Sequence, residues 1–157
     1  TLSGWIEASQ RHQARMVRTM TDAFRRRADR VVSIAVYFLI DAWPAGWMKA
    51  LVDANRTPKR GYFALKDSFK PRRVNLRTDR GSLYAGETAE IDAWLLNDRP
   101  TPLEDYEIRV SVRMNGDELE RYVASTVGVD GVASERSAVV RVQANALSLS
   151  FLKLHIR

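Results

Sequence analysis

Val31-Val32-Ser33-Ile34-Ala35-Val36-Tyr37-Phe38-Leu39-Ile40, running straight into Asp41-Ala42-Trp43-Pro44, is the stretch on which the fold turns. It is rich in β-branched and aromatic residues and has no polar alternation, the pattern of a strand buried on both faces of a parallel sheet. A solvent-facing antiparallel strand would alternate instead. The turn that ends it places a carboxylate, Asp41, and two indoles, Trp43 and Trp47, at the strand's C-terminal end.

Each flank of this stretch reads as a helix. From Trp5 to about Arg27, the residues Trp5, Ser9, Met16, Met20 and Phe24 recur at steps of three and four, with Ile6, Val17 and Ala23 beside them. Arg11, Arg15, Arg18, Arg25 and Arg26 form the opposite, basic face, and Ser3 is a candidate cap. Downstream, Thr57-Pro58 supplies a cap and a favoured first residue for a helix running to about Phe69, with Tyr62, Leu65 and Phe69 on one face and Pro71 as its stop. Helix, buried strand and helix make one α/β repeat. Alone they cannot close a core, because the strand has no partner for either edge. Residues 1–70 therefore read as part of a larger α/β domain.

After Pro71 the pattern changes to short alternating strands separated by turns, the mark of a β-sandwich. Expected strands are 73–77, 88–97, 106–114, 118–126, 138–143 and 151–156, with Asn115-Gly116 as a hairpin turn. An Ig-type sandwich has about seven strands. The chain stops inside the last expected strand, so a further one is expected downstream. Its start, Thr1-Leu2-Ser3-Gly4-Trp5, likewise suggests a chain cut or processed upstream.

Composition fits this division. Residues 1–73 carry 15 Lys/Arg and 6 Asp/Glu, a net +9, and residues 74–157 carry 10 and 13, a net −3, which together give +6. Zero cysteines exclude disulfides, thiolate metal sites and a Cys nucleophile. His12 and His155 lie far apart, in no metal-ligand spacing, so neither a metal nor any other cofactor is expected. No apolar run approaches the roughly 20 residues of a membrane span, so no membrane partner is expected. The basic cluster Arg25-Arg26-Arg27 and Arg30 reads as a solvated helix face rather than a nucleic-acid interface, because no base-reading motif accompanies it.

From Phe38 to Pro71 the sequence resembles the family-two glycoside hydrolases, the group of β-mannosidases, β-galactosidases and exo-β-glucosaminidases. The resemblance rests on Leu39-Ile40-Asp41-Ala42-Trp43-Pro44, Trp47, Asp53, Pro58-Lys59, Tyr62-Phe63-Ala64-Leu65-Lys66 and Phe69-Lys70-Pro71, with Gln10 and Gln13-Ala14 in the preceding helix. Two departures stand out: Ile40 where the family usually has Asn, and Tyr37 where Trp is common. The resemblance implies an α+β chain: residues 1–70 as the last helix-strand-helix of a (β/α)8 barrel, and 72–157 as an Ig-like antiparallel β-sandwich. It further implies the C-terminal part of a retaining β-glycosidase, whose two catalytic glutamates lie on earlier strands outside this chain. Carbohydrate and the remainder of a parent polypeptide would be the partners. The compartment stays open, with export slightly favoured by the family.

Active sites of such barrels sit at the C-terminal strand ends, so Asp41 and Trp43 become candidate substrate-binding residues. The C–H face of a pyranose stacks on an indole, and a carboxylate accepts sugar hydroxyl protons. A structural alternative is that Trp43-Pro44 ends the strand while Asp41 caps the turn or pairs with an arginine. For the second half the alternatives are a spacer, or a non-enzymatic Ig-like interaction or carbohydrate-binding module with a helical N-terminal extension. Glu7 matches neither catalytic motif. Asp105, Glu107, Glu118 and Glu120 read as a solvated strand edge. Because Val31–Ile40 would expose two edges, residues 1–70 expressed alone should aggregate or show no cooperative melt by circular dichroism. A stable, monomeric, cooperatively melting product would contradict the barrel assignment.

Overall fold

The computed structural model of the protein describes residues 1–44, 49–79, 86–104, 107–114, 117–125, 128–143 and 155–156. Helix and antiparallel sheet occupy successive parts of the chain, an α+β organisation. It divides into two compact units, Thr1–Lys70 and Pro71–Arg157.

The first unit is built on two helices. Helix α1 (Leu2–Arg25) starts earlier than the sequence predicts, because the hydroxyl of Thr1 rather than Ser3 accepts from Gly4 N at 3.3 Å. Helix α2 (Arg60–Ser68) follows Lys59 without a side-chain cap. Thr57, the expected cap, instead donates its N–H to Asp53 Oδ1 at 2.8 Å inside the preceding turn. Contacts climb both helices together: Glu7 and Gln10 meet Arg60, Arg18 meets Asp67 at 3.3 Å, and Arg25 donates to the Ser68 carbonyl. The helices therefore run in the same direction, as consecutive helices of an α/β repeat do.

Their packing surfaces differ from those the periodicity suggests. Small residues Gly61, Ala64 and Ser68 form the buried face of α2, while Phe69 is exposed. A Cβ on Gly61 would lie 2.9 Å from Leu51 Cδ2 and 3.0 Å from Gln13 Oε1, so those side-chain ends would have to shift to admit a larger residue. On α1 the buried residues are Thr21, Asp22 and Arg25. The expected apolar face is largely open: Trp5, Ile6, Met16, Met20 and Phe24 are exposed, while Val17 and Ala23 are half-buried. Specific polar bonds tie the basic side of α1 to α2, and no described residue covers the apolar stripe. Arg18 and Arg25 are thus helix-pairing groups; of the basic cluster expected to be a solvated face, Arg25 is buried while Arg27 and Arg30 are exposed.

The segment 31–40 also departs from expectation. It forms no ladder; Ile40 makes a single parallel bridge with Val52. Among the described residues, no backbone–backbone hydrogen bond engages residues 32–38. Val32, Tyr37 and Leu39 are exposed. The described chain offers this segment no neighbouring strand, so its composition is that of a strand and its state is not.

The second unit consists of antiparallel strands. Strands β1 (Arg72–Arg77), β2 (Thr88–Asn97) and β7 (Ala133–Gln143) form one sheet in the order β1-β2-β7. A second has the order β5-β4-β8, from β4 (Glu107–Met114), β5 (Asp117–Ser125) and β8 (His155–Ile156). Two-residue strands β3 (Leu103–Glu104) and β6 (Gly128–Val129) pair separately, and neither is foreshadowed in the sequence. Met114 pairs with Asp117 across the expected hairpin, whose Asn115-Gly116 turn lies outside the described residues, as do Asp105, Tyr84 and Tyr106.

Alternation in β2 aims Ile91, Ala93 and Leu95 into a core shared with Ile108 and Val110 of the other sheet, Leu103, Val129 and Val140. Asn97, fully buried, knots the loop beside it. Its amide donates to Thr101 O at 2.8 Å and Asp130 O at 3.2 Å, and its oxygen accepts from Arg99 N at 3.1 Å. Gly131 fills the remaining space, since a Cβ there would stand 2.1 Å from the Pro100 oxygen. Gly131→Ala should therefore lower the urea midpoint of the chain by the equivalent of about 1–3 kcal/mol. An unchanged midpoint would show that the loop yields freely.

Candidate functional site

Three short segments of the first unit lie side by side: 39–41, 51–53 and 57–59. Leu39 O accepts from Leu51 N at 3.1 Å and Val52 N at 2.9 Å, and Asp41 N donates to Val52 O at 3.0 Å. On the other side, Lys59 N donates to Leu51 O at 2.8 Å and Asp53 N to Thr57 O at 3.0 Å. The turn between them is tight. Asp53 accepts at both its backbone and its side-chain oxygen, and Arg56 sits at φ 66 in the left-handed region. Helix α1 secures the assembly through Gln13, whose Nε2 donates to Lys49 O at 2.7 Å and Ala50 O at 3.2 Å. Gln10 Oε1 accepts from Arg60 N at 3.3 Å.

This scaffold brings Lys59 Nζ to 2.7 Å from Asp41 Oδ2 across 18 positions of sequence. Asp41 is 3% exposed and the Lys59 side chain 16%. Such a pair is held by its geometry: desolvating two charges is expensive, and removing one partner strands the other. The second oxygen, Asp41 Oδ1, is buried with no hydrogen-bond partner among the described residues. Trp43, two residues on, is 59% exposed.

The two predicted site residues are thus neighbours with opposite environments: Asp41 faces inward to an ammonium, and Trp43 faces outward. The structural alternative has Asp41 capping the turn or pairing with an arginine; in the structure it pairs with Lys59. Lys59 was legible in the Pro58-Lys59 motif, but nothing local marks it as the partner of Asp41. Trp47, Ala45, Gly46 and Met48 lie outside the described residues. Trp94 sits on the face of β2 opposite Ile91, half-buried, with its indole nitrogen buried and unbonded among the described residues. No group of three or more His, Cys, Asp or Glu able to hold a metal occurs among them.

No known family model matches this chain, and no curated protein does. Among solved structures, the sporulation control protein Spo0M from Bacillus subtilis is similar at a TM-score of 0.32 and 10% identity, over 56% of this chain and 41% of that one. A likeness this slight carries no argument about fold or function.

Glu7 is a further engaged carboxylate of the unit. It receives Arg11 Nε at 2.7 Å and Arg60 Nε at 3.0 Å. These hydrogen bonds, Arg11's first and then Arg60's, hold its carboxyl below the usual glutamate range. A depressed folded value adds stability that is complete above the unfolded value and fades as pH falls through the folded one. Solvent screens this exposed cluster, so the effect is local. Carboxyl-detected NMR should find Glu7 titrating below a free glutamate, and Arg60→Met should move the midpoint up. An unmoved midpoint would remove the Arg60 contact from the account of the helix pair.

Proposed function

We propose that this chain is the C-terminal part of a retaining β-glycoside hydrolase resembling the family-two group. In this reading α1, the segment 31–40 and α2 are the last helix-strand-helix of a (β/α)8 barrel, and residues 72–157 are an Ig-like supporting domain. The chain supplies the strand-end turn of Asp41 and Trp43 to a sugar pocket and lacks the catalytic glutamates.

One observation carries the proposal: the segment 31–40 has the composition of a doubly buried strand, yet residues 32–38 make no backbone hydrogen bonds among the described residues. In the same unit, α1 leaves Trp5, Met16, Met20 and Phe24 exposed. Each such side chain forfeits part of the about 1.5–3 kcal/mol that full burial contributes, which neighbouring strands and helices of a barrel would recover. The other unit behaves differently: among its described large apolar side chains only Val132 and Val139 are exposed, and the rest are buried or half-buried.

Two further facts fit. The motif residues Gln10, Gln13, Asp41, Asp53 and Lys59, far apart in sequence, all enter hydrogen bonds around the same three segments. The exposed indole of Trp43 stands just beyond the apolar segment, where a barrel strand would deliver it to substrate.

The closed core of residues 71–157 favours the runner-up, a non-enzymatic Ig-like interaction module with a helical extension. Activity separates the two. The full polypeptide carrying this chain should cleave an aryl β-mannoside, β-galactoside or β-glucosaminide, releasing the β-anomer first by proton NMR. Glu→Gln at a strand-end glutamate shortly upstream of Thr1 should abolish this. No cleavage of any of the three would leave the module reading.

A further inference from the structure

Asp41 and Trp43 share the strand-end turn, but only one is reachable. Oδ2 of Asp41 is taken by Lys59 at 2.7 Å, and Oδ1 is buried. A sugar hydroxyl arriving from solvent meets neither oxygen. The indole of Trp43 is open.

We infer that Lys59 and Asp41 are positioning residues for Trp43, forming an ionic latch that fixes the direction in which the chain leaves the apolar segment. This rests on the sugar-pocket assignment of Trp43. Two restraints converge on Asp41: its N–H is bonded to Val52 O at 3.0 Å, and its carboxylate to the ammonium of Lys59. Lys59 is itself fixed at the start of α2 by its N–H to Leu51 O at 2.8 Å. The backbone is therefore held at Asp41 from both the 51–53 and the 57–59 segments, one residue before Ala42-Trp43 begin.

A buried ion pair suits this task. Solvent does not compete for it, and breaking it leaves an uncompensated charge, so the bonded state dominates. An indole held in one orientation loses little freedom when a pyranose face stacks on it. The specificity consequence is that Asp41 contributes to sugar affinity only through Trp43, and reads no hydroxyl itself.

A double-mutant cycle in the full polypeptide tests this. Trp43→Ala should raise KM for the aryl β-glycoside about tenfold, the equivalent of one good aromatic contact, and leave kcat nearly unchanged. Asp41→Asn should raise KM too, and the double variant should be no worse than Trp43→Ala alone. Additive effects would mean that Asp41 meets substrate directly and would overturn the latch.

The second readout is the Trp43 indole N–H resonance. It should move in Asp41→Asn and Lys59→Met and return in Lys59→Arg. If Lys59→Met fails to fold, the near-isosteric Asp41→Asn still decides. A resonance unmoved in Asp41→Asn overturns the latch even where activity is present. If the polypeptide cleaves none of the glycosides, the hydrolase reading falls, and the indole resonance alone upholds or overturns the positioning role.

Discussion

Each backbone amide and carbonyl must be paired, by other protein groups or by water, and an apolar extended segment can satisfy this away from water only between other strands. Residues 32–38 bring that requirement to the first unit and find no strand among the described residues to meet it. Val32 and Tyr37 of this segment are exposed, and Ile34, Val36 and Phe38 are half-buried. Conversely, the second unit supplies strand partners internally: β2 is paired by β7 from Thr88 to Asn97 and by β1 from Asp92 to Asn97. The contrast between the units is one of hydrogen-bond closure more than of hydrophobicity.

Polar contacts organise the first unit where apolar burial is thin. Its described fully buried apolar residues are Ala50, Leu51, Val52 and Ala64, a small set for seventy residues. What joins α1, α2 and the three short segments is a network from Gln10, Gln13, Arg25, Asp53 and the Asp41–Lys59 pair. Such networks specify geometry at modest net stability, since each bond replaces one to water and contributes about 1 kcal/mol. Arg25 adds a dipole match, because a cation donating to the last carbonyl of α2 meets the negative end of that helix.

Much of the fold is legible in the residues. The strand β2, 88–97, and its inward residues Ile91, Ala93 and Leu95 follow from alternation alone, and Pro71 marks the change of architecture. Short pairs such as β3 and β6 escape because two residues carry no period. For α1, periodicity identifies an apolar stripe but not what lies against it. Here the neighbouring helix presents Gly61, Ala64 and Ser68 and draws the polar side. At the candidate site, Asp41 and Trp43 were named from their place after the apolar run. Their division into an inward carboxylate and an outward indole depends on Lys59, which only the 53–57 turn brings near.

Hydrogen exchange of the amides of residues 32–38, measured in this chain and in the longer polypeptide of which we propose it is part, addresses the central claim most directly. Exchange at near-random-coil rates in the isolated chain, with slowing of at least about a hundredfold in the longer protein, is the predicted result. Protection already present in the isolated chain, or none in either, would contradict a strand that waits for neighbours.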